Sequence, residues 1–490
     1  MAENRTEKEP ALMTFRDGFL LATLLATGAC SVPNMGSMRQ VAKPSDMAAT
    51  QSFAAPERAW PSDAWWTQYG DPQLDSLVAE GLAASPDLRI AVARMNAAQA
   101  IARQTGSALY PKIAADGTVA SEKQSYNMGF PREFLPQGWN DTGRATLGVN
   151  FDIDIWGRNR AALAAAKGEA EAARVDSAQA RLVLVTGIAT AYAELAGLYA
   201  QRDVIARTVE VRASFLDLAQ QRVESGLDNQ APAELARAKL ASARAELAAL
   251  AESIGLVRNQ LAALIGAGPD RGLSIERPGT ALLHDFGLPD QLALDLIGRR
   301  PDIVSARFRV EAAARRVKVA RADFYPNLNI MGLIGVQSLG IGNLTGNGSD
   351  YGRVGPALSL PIFSGGQLRG AYRQSRADYD RAVADYDRTL VGALRDVADA
   401  ATSMRALAER QTQTNIAVQA AERGFQIAMD RYRGNLSTYL EALDAEDLLL
   451  QQRRADAMLK TRAFALDIQI VRGLGGGYAD PRRPVPPVSQ

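Results

Sequence analysis

The sequence predicts a mainly α-helical chain that carries four membrane-type β-strands and is laid out as a tandem duplication. Three observations lead there. The stretch PDLRIAVARMNAAQAIARQTGSALYP, from Pro86 to Pro111, is answered without a gap by PDIVSARFRVEAAARRVKVARADFYP, from Pro301 to Pro326. Apolar and polar residues alternate strictly from Arg144 to Trp156 and again, less completely, from Arg353 to Phe363. No proline occurs between Gln137 and Ala231, nor between Ile362 and Asp480. Each copy therefore reads in one order: a helix, two extended segments, a very long helix, a turn and a long return helix.

The chain begins with an export signature. Phe19 to Thr27 (FLLATLLAT) is apolar, too short to span a bilayer and suited to a signal-peptide core. It ends at Gly28-Ala29-Cys30, small residues before the only cysteine in the chain. The expectation is cleavage after residue 29, translation starting at Met13, and a Cys30 acylated with palmitate. One cysteine cannot form an internal disulfide, so oxidation does not hold this fold together. Residues 30–58, rich in Ser, Pro, Met and Ala, read as the lipidated tether. Residues 59–268 form the first repeat, 269–289 a linker, 290–477 the second repeat and 478–490 a Pro-rich tail.

Composition removes several classes. An apolar content of 47% excludes a disordered chain, and 6% aromatics with many alanines favours long helices with narrow seams over one thick core. With 55 basic against 54 acidic residues, a net +1 gives no footprint for nucleic acid. No uninterrupted run of about 18 apolar residues exists, so no helical membrane span is expected.

Within the first repeat, helical periodicity starts near Pro72 (Leu74, Leu77, Val78, Leu82), continues past Pro86, and stops at Tyr110-Pro111. Extended segments follow over 113–121 and 144–156, with counterparts over 328–337 and 353–363. In RATLGVNFDIDIW the odd positions 145–155 are apolar and the even positions 144–154 polar or small. About ten alternating residues match a tilted transmembrane strand, with Trp156 and Phe363 at strand ends where an aromatic girdle would sit. Asn150, Asp152 and Asp154 then face a watery lumen. Helices predicted over 161–225 and 367–433 would each run about 100 Å at 1.5 Å per residue. They reverse at glycine turns, Gly226 and Gly434, and the return helices stop at Leu264-Ile265-Gly266 and Gly473-Leu474-Gly475.

Enzyme chemistry finds no constellation. His284, the only histidine, lies in the linker beside Asp285. Gly473-Leu474-Gly475-Gly476-Gly477 follows a helix instead of opening one, so it is a helix stop and not a dinucleotide loop. No metal-ligand cluster, cofactor motif or Walker sequence is present, and no cofactor is expected. The second turn carries Arg431-Tyr432-Arg433-Gly434, with Leu440 and Asp444 just beyond it. There Asp444 would sit opposite Arg431 of the same or a neighbouring chain.

Four strands cannot close a barrel, and an open edge in lipid leaves backbone groups unsatisfied at several kcal/mol each. Several copies must share one barrel, and a rotational ring also lets narrow helical seams pair between neighbours. The competing architecture is a lipid-anchored periplasmic coiled-coil scaffold without a pore.

Across residues 60–477 the chain resembles the TolC-like outer-membrane efflux family, in its NodT-type lipoprotein branch. The resemblance rests on Ala64-Trp65-Trp66, Gly70-Asp71-Pro72-Gln73-Leu74, Pro86-Asp87-Leu88, Tyr110-Pro111, Asp152-Ile153-Asp154-Ile155-Trp156-Gly157-Arg158, Arg300-Pro301-Asp302-Ile303, Tyr325-Pro326, Pro361-Ile362-Phe363, Arg431-Tyr432-Arg433-Gly434 and Leu443-Asp444-Ala445-Glu446. It implies a homotrimer with a shared twelve-stranded barrel and a long periplasmic α-helical barrel, in the outer membrane of a Gram-negative bacterium. It implies a passive exit duct for small molecules, such as drugs or other toxic compounds. A periplasmic adaptor and a proton-driven inner-membrane pump would feed it. By position it assigns Arg431 and Tyr432 to a polar latch of a closed periplasmic tip, Asp444 to an acidic constriction and Leu440 to an apolar ring.

Overall fold

The computed structural model describes residues 32–43, 46–47, 51–127, 129–279, 287–289 and 292–480. The expectations for Met13, Cys30, His284 and most of the Pro-rich tail lie outside them. The first repeat holds α1 (Pro72–Ala84), α2 (Pro86–Gly106), β1 (Lys112–Glu122), β2 (Asn140–Ile153), α3 (Arg158–Glu224) and α4 (Ala231–Leu264). A short α5 (Pro269–Leu273) follows, and the order then repeats with α6 (Leu292–Arg299), α7 (Pro301–Ala322), β3 (Asn327–Leu339), β4 (Asp350–Ser359), α8 (Gln367–Arg433) and α9 (Tyr439–Gly473). Both long helices have 67 residues, within three residues of the predicted start and one of the predicted end.

The helix predicted to run through Pro86 is broken there. Ser85 is extended (φ −56°, ψ 127°), as the clash of a following proline ring requires, and Pro86 starts a new helix. Asp71 caps α1, accepting from the amides of Gln73 at 2.9 Å and Leu74 at 3.4 Å, with Pro72 at the first helical position.

The chain divides into two compact units. The first contains residues 97–171 and 308–384 with the described residues up to Gln40. Its centre is a four-stranded antiparallel sheet in the order β1-β2-β3-β4, so the two repeats meet at the β2–β3 pair. Below the sheet, Trp156 stacks on Tyr325 with ring centroids 4.7 Å apart and donates from Nε1 to the Pro326 carbonyl at 2.8 Å. Trp156 thus joins the exit of β2 in the first copy to the entry of β3 in the second. The strand alternation that seemed to run through it ends at Ile153.

The second unit contains the described residues of 41–96, 172–307 and 385–480 and is mainly helical. Leu74, Leu77, Val78, Ile188, Leu195, Leu261, Ile265, Phe464 and Ile468 form its main core. Each such side chain, fully buried, contributes roughly 1.5–3 kcal/mol. One stretch of α3 is apolar and long enough to cross a bilayer by composition, but 67% of it is buried within the fold, as a core helix would be. Helices approach closely at Gly81, where an added Cβ would lie 2.6 Å from Ile188 Cδ1.

The segment expected to be a free tether is docked where it is described. Arg376 donates to the carbonyls of Gly36 and Ser37, and Tyr379 Oη to that of Arg39. Further on, the Ala42 amide donates to Asp387 and Arg405 to the Ala54 carbonyl. Backbone groups, mostly carbonyls, do the binding, so composition gives no sign of it. The linker is also partly structured: Ile275 and Leu288 are buried, and Leu288 exchanges hydrogen bonds with the 56–58 backbone.

Candidate functional site

The two hairpin turns share one backbone solution. In the first, Leu227 N donates to Arg222 O at 2.9 Å and Gly226 N to Val223 O at 3.0 Å. In the second, Leu436 N donates to Arg431 O at 2.8 Å and Asn435 N to Tyr432 O at 3.1 Å. This pair of bonds satisfies the last helical carbonyls and needs one left-handed residue. Gly226 fills that position in the first turn (φ 73°) and Asn435 in the second (φ 62°). Gly434 is therefore not the counterpart of Gly226. It stands one position earlier, matching Ser225, and its own φ is not positive.

Arg222 connects the two turns. Its Nε donates to Asp228 at 2.6 Å within the first turn, and its Nη2 donates to Asn435 Oδ1 at 2.7 Å in the second. Its guanidinium lies 5.0 Å from the centroid of the Tyr432 ring. The Asp228 hydrogen bond raises the Arg222 pKa further, so the charge is permanent. Tyr432 is buried with Phe215, Met429, Tyr439 and Leu443, and its hydroxyl has no hydrogen-bond partner among the described residues. Burial pushes the Tyr432 phenol above its usual range, against the pull of Arg222. The group offered as a polar latch thus presents its ring face to an arginine that the sequence reading passed over.

The remaining expected residues are dispersed. Arg431 donates only to the Leu436 carbonyl of its own turn, at 3.2 Å. Asp444 is exposed on α9 and makes no hydrogen bond or ion pair among the described residues, so no Arg431–Asp444 pair forms within the chain. Leu440 is 57% exposed beside it. The missed residues are Arg222, Asp228 and Asn435. Only the Asn435 signal was available locally, as a residue type that tolerates the left-handed region.

Strand register divides the sheet into two faces. One carries Lys112, Asp116, Arg144, Asn150, Asp152, Asn329, Gln337 and Arg353; the other carries Ile113, Val119, Leu147, Val149, Phe151, Ile330, Ile334, Val354 and Leu358. Asn150 and Asp152 share the polar face, where Asn329 Nδ2 donates to Asn150 Oδ1 at 2.9 Å. On the apolar face Ile113, Ile334, Val354 and Leu358 are all more than 60% exposed. Asp154 does not belong to either face. It lies past the end of β2 and accepts from the amides of Asn159 at 3.0 Å and Arg160 at 2.9 Å, capping α3, with the Arg160 side chain at 3.1 Å. Burial alone would raise its pKa, but these donors outweigh it and hold the carboxyl below its ordinary value.

A duplicated pair of long helical hairpins and an amphipathic sheet whose two edges are open among the described residues are the features of the outer-membrane channel class. Residues 77–267 and 292–476 match the family model described as outer membrane efflux protein. The chain belongs to that family. It is 37% identical over 361 residues to the fusaric acid resistance protein FusA of Burkholderia cepacia, covering 71% of this chain and 67% of that one. It is 30% identical over 464 residues to the multidrug resistance outer membrane protein MdtP of Escherichia coli K12, covering 93% and 95%. Among solved structures, the outer membrane protein VceC of Vibrio cholerae superposes with a TM-score of 0.81 at 43% identity, over 85% of this chain and all of that one.

Proposed function

We propose that three copies of this chain close a twelve-stranded barrel in the outer membrane and that their helical hairpins continue it as an α-helical barrel in the periplasm. The assembly is a passive exit duct for small molecules, drugs or other toxic compounds among them. A periplasmic adaptor and a proton-driven inner-membrane pump hand the cargo over, and a lipidated Cys30 anchors each copy. Asn150 and Asp152 line the wet interior of the barrel. The tip narrows around Leu440 and Asp444, with Tyr432 held beneath Arg222.

The observation that carries this reading is the sheet. β1 and β4 each pair on one side only, among the described residues, and the middle of one face is apolar, with Ile113, Ile334, Val354 and Leu358 exposed on it. Such a sheet is stable in lipid only when neighbouring copies pair its edges. Planar-bilayer recording of the purified protein tests the function: the duct predicts discrete conductance steps. A protein that inserts without conducting, or that leaves the membrane once Cys30→Ser removes the lipid, would favour the anchored scaffold instead.

A further inference from the structure

Beneath the turns, α3, α4 and α9 meet around a buried ion cluster that the duct reading does not use. Arg212 donates from Nε to Glu446 Oε1 at 3.1 Å, from Nη2 to Asp447 at 2.8 Å, and from Nη1 to the Lys239 carbonyl at 3.1 Å. Lys239 Nζ reaches the other Asp447 oxygen at 2.8 Å. The Arg212 and Glu446 side chains are 9% and 6% exposed. Glu446 Oε2 is buried and has no hydrogen-bond partner among the described residues. Glu446 also borders a cavity of about 340 Å³ shared by apolar Val211, Phe425 and Leu449 and charged Arg207, Glu422 and Arg453, while its Oε2 stays out of reach of solvent.

We propose that Glu446 is a proton-responsive clasp, and that taking up a proton tightens α9 against α3 just below the hairpin turns. The ionised carboxylate is half satisfied: one oxygen meets Arg212 and the other has lost water without gaining a donor. A charge buried on those terms is costly. Protonation removes the cost, and Arg212 keeps Asp447 and the Lys239 carbonyl. The groups facing Glu446 are Arg207 and Arg212 on α3, Lys239 on α4, Glu422 on α8, and Tyr439, Asp447 and Arg453 on α9. Arg207 is paired with Glu210 and Arg453 with Glu422, so neither holds the Glu446 charge.

Burial raises the Glu446 pKa above the ordinary glutamate value, opposing the pull of Arg212 and Lys239 and assisted by Asp447. A raised folded-state pKa means that the stabilisation is complete below the ordinary glutamate range. It is lost as pH rises through the raised value. The hairpin end is accordingly tighter in mild acid than at neutrality.

Hydrogen exchange on the full-length detergent-solubilised protein tests this, corrected for the intrinsic pH dependence of exchange and read over 205–216 and 439–450. Wild type should be more protected at pH 5 than at pH 7.5, by about tenfold for each unit separating the closed and opened pKa values. Glu446→Gln should show the same protection at both pH values, and Asp447→Asn should keep the wild-type trend. An unchanged wild type, or a Glu446→Gln variant that retains the trend, overturns the proposal. Should Glu446→Gln fail to fold, infrared difference spectra of wild type between these pH values decide. A buried carboxylic acid band supports the clasp and its absence refutes it.

Discussion

Replacing Arg222 by alanine should loosen the two hairpin turns from each other, and by much more than the same change at Arg431. The magnitude follows from the two contacts that cross between the turns, since the Asp228 bond stays within the first. The exposed hydrogen bond to Asn435 has a charged donor and is worth about 0.5–1 kcal/mol. The guanidinium over Tyr432 adds about 0.5–1 kcal/mol. The sum, about 1–2 kcal/mol, corresponds to roughly a 5- to 30-fold change in the ratio of joined to separated turns. Arg431→Ala removes one exposed hydrogen bond within its own turn, worth less than about 1 kcal/mol. Hydrogen exchange over 222–230 and 431–438 reads the opening directly, and single-channel recording reads its effect on conduction. Equal protection in both variants, or a larger loss for Arg431→Ala, would refute the assignment of Arg222 as the connection.

Other outcomes follow from the same coordinates. Gly226→Ala should cost about 1 kcal/mol through strain at a positive φ and Gly434→Ala less, whereas Asn435→Gly keeps the left-handed backbone but loses the Arg222 hydrogen bond and should cost about 0.5–1 kcal/mol, read as shifts in unfolding midpoint. Asp154→Ala removes the α3 cap and should cost about 1–2 kcal/mol. Because the Asp154 pKa is depressed, its contribution is present above the ordinary aspartate range and is lost as pH falls through the folded value, so the variant and wild type should converge in acid. Asp444→Ala, which breaks no hydrogen bond or ion pair among the described residues, should leave thermal stability within about 0.5 kcal/mol of wild type while raising conductance if the tip constriction contains it. Unchanged conductance removes Asp444 from the gate.

Helix limits were legible because proline and glycine mark them: two proline-free stretches became two helices of equal length, and all four hairpin helices stop on the same left-handed turn. Strands were legible through period-two alternation, which is the direct imprint of one wet and one apolar face. The errors have physical causes. Asp154 falls in phase with the polar positions of β2, so a helix cap looks like one more lumen residue. Gly434 is a louder signal than Asn435, although asparagine was the residue placed in the left-handed region. Arg222 could not be found locally, since its partner Asn435 belongs to the other repeat and only tertiary packing brings the two turns together. The docked strap before residue 58 relies on main-chain groups, which every composition supplies alike.

The central claim is that one chain cannot seal its own sheet. Measuring the mass of the detergent-solubilised particle, with the bound detergent accounted for, tests it most directly. Three chains per particle is the expected result; a single-chain particle that stays soluble after the detergent is withdrawn would contradict it.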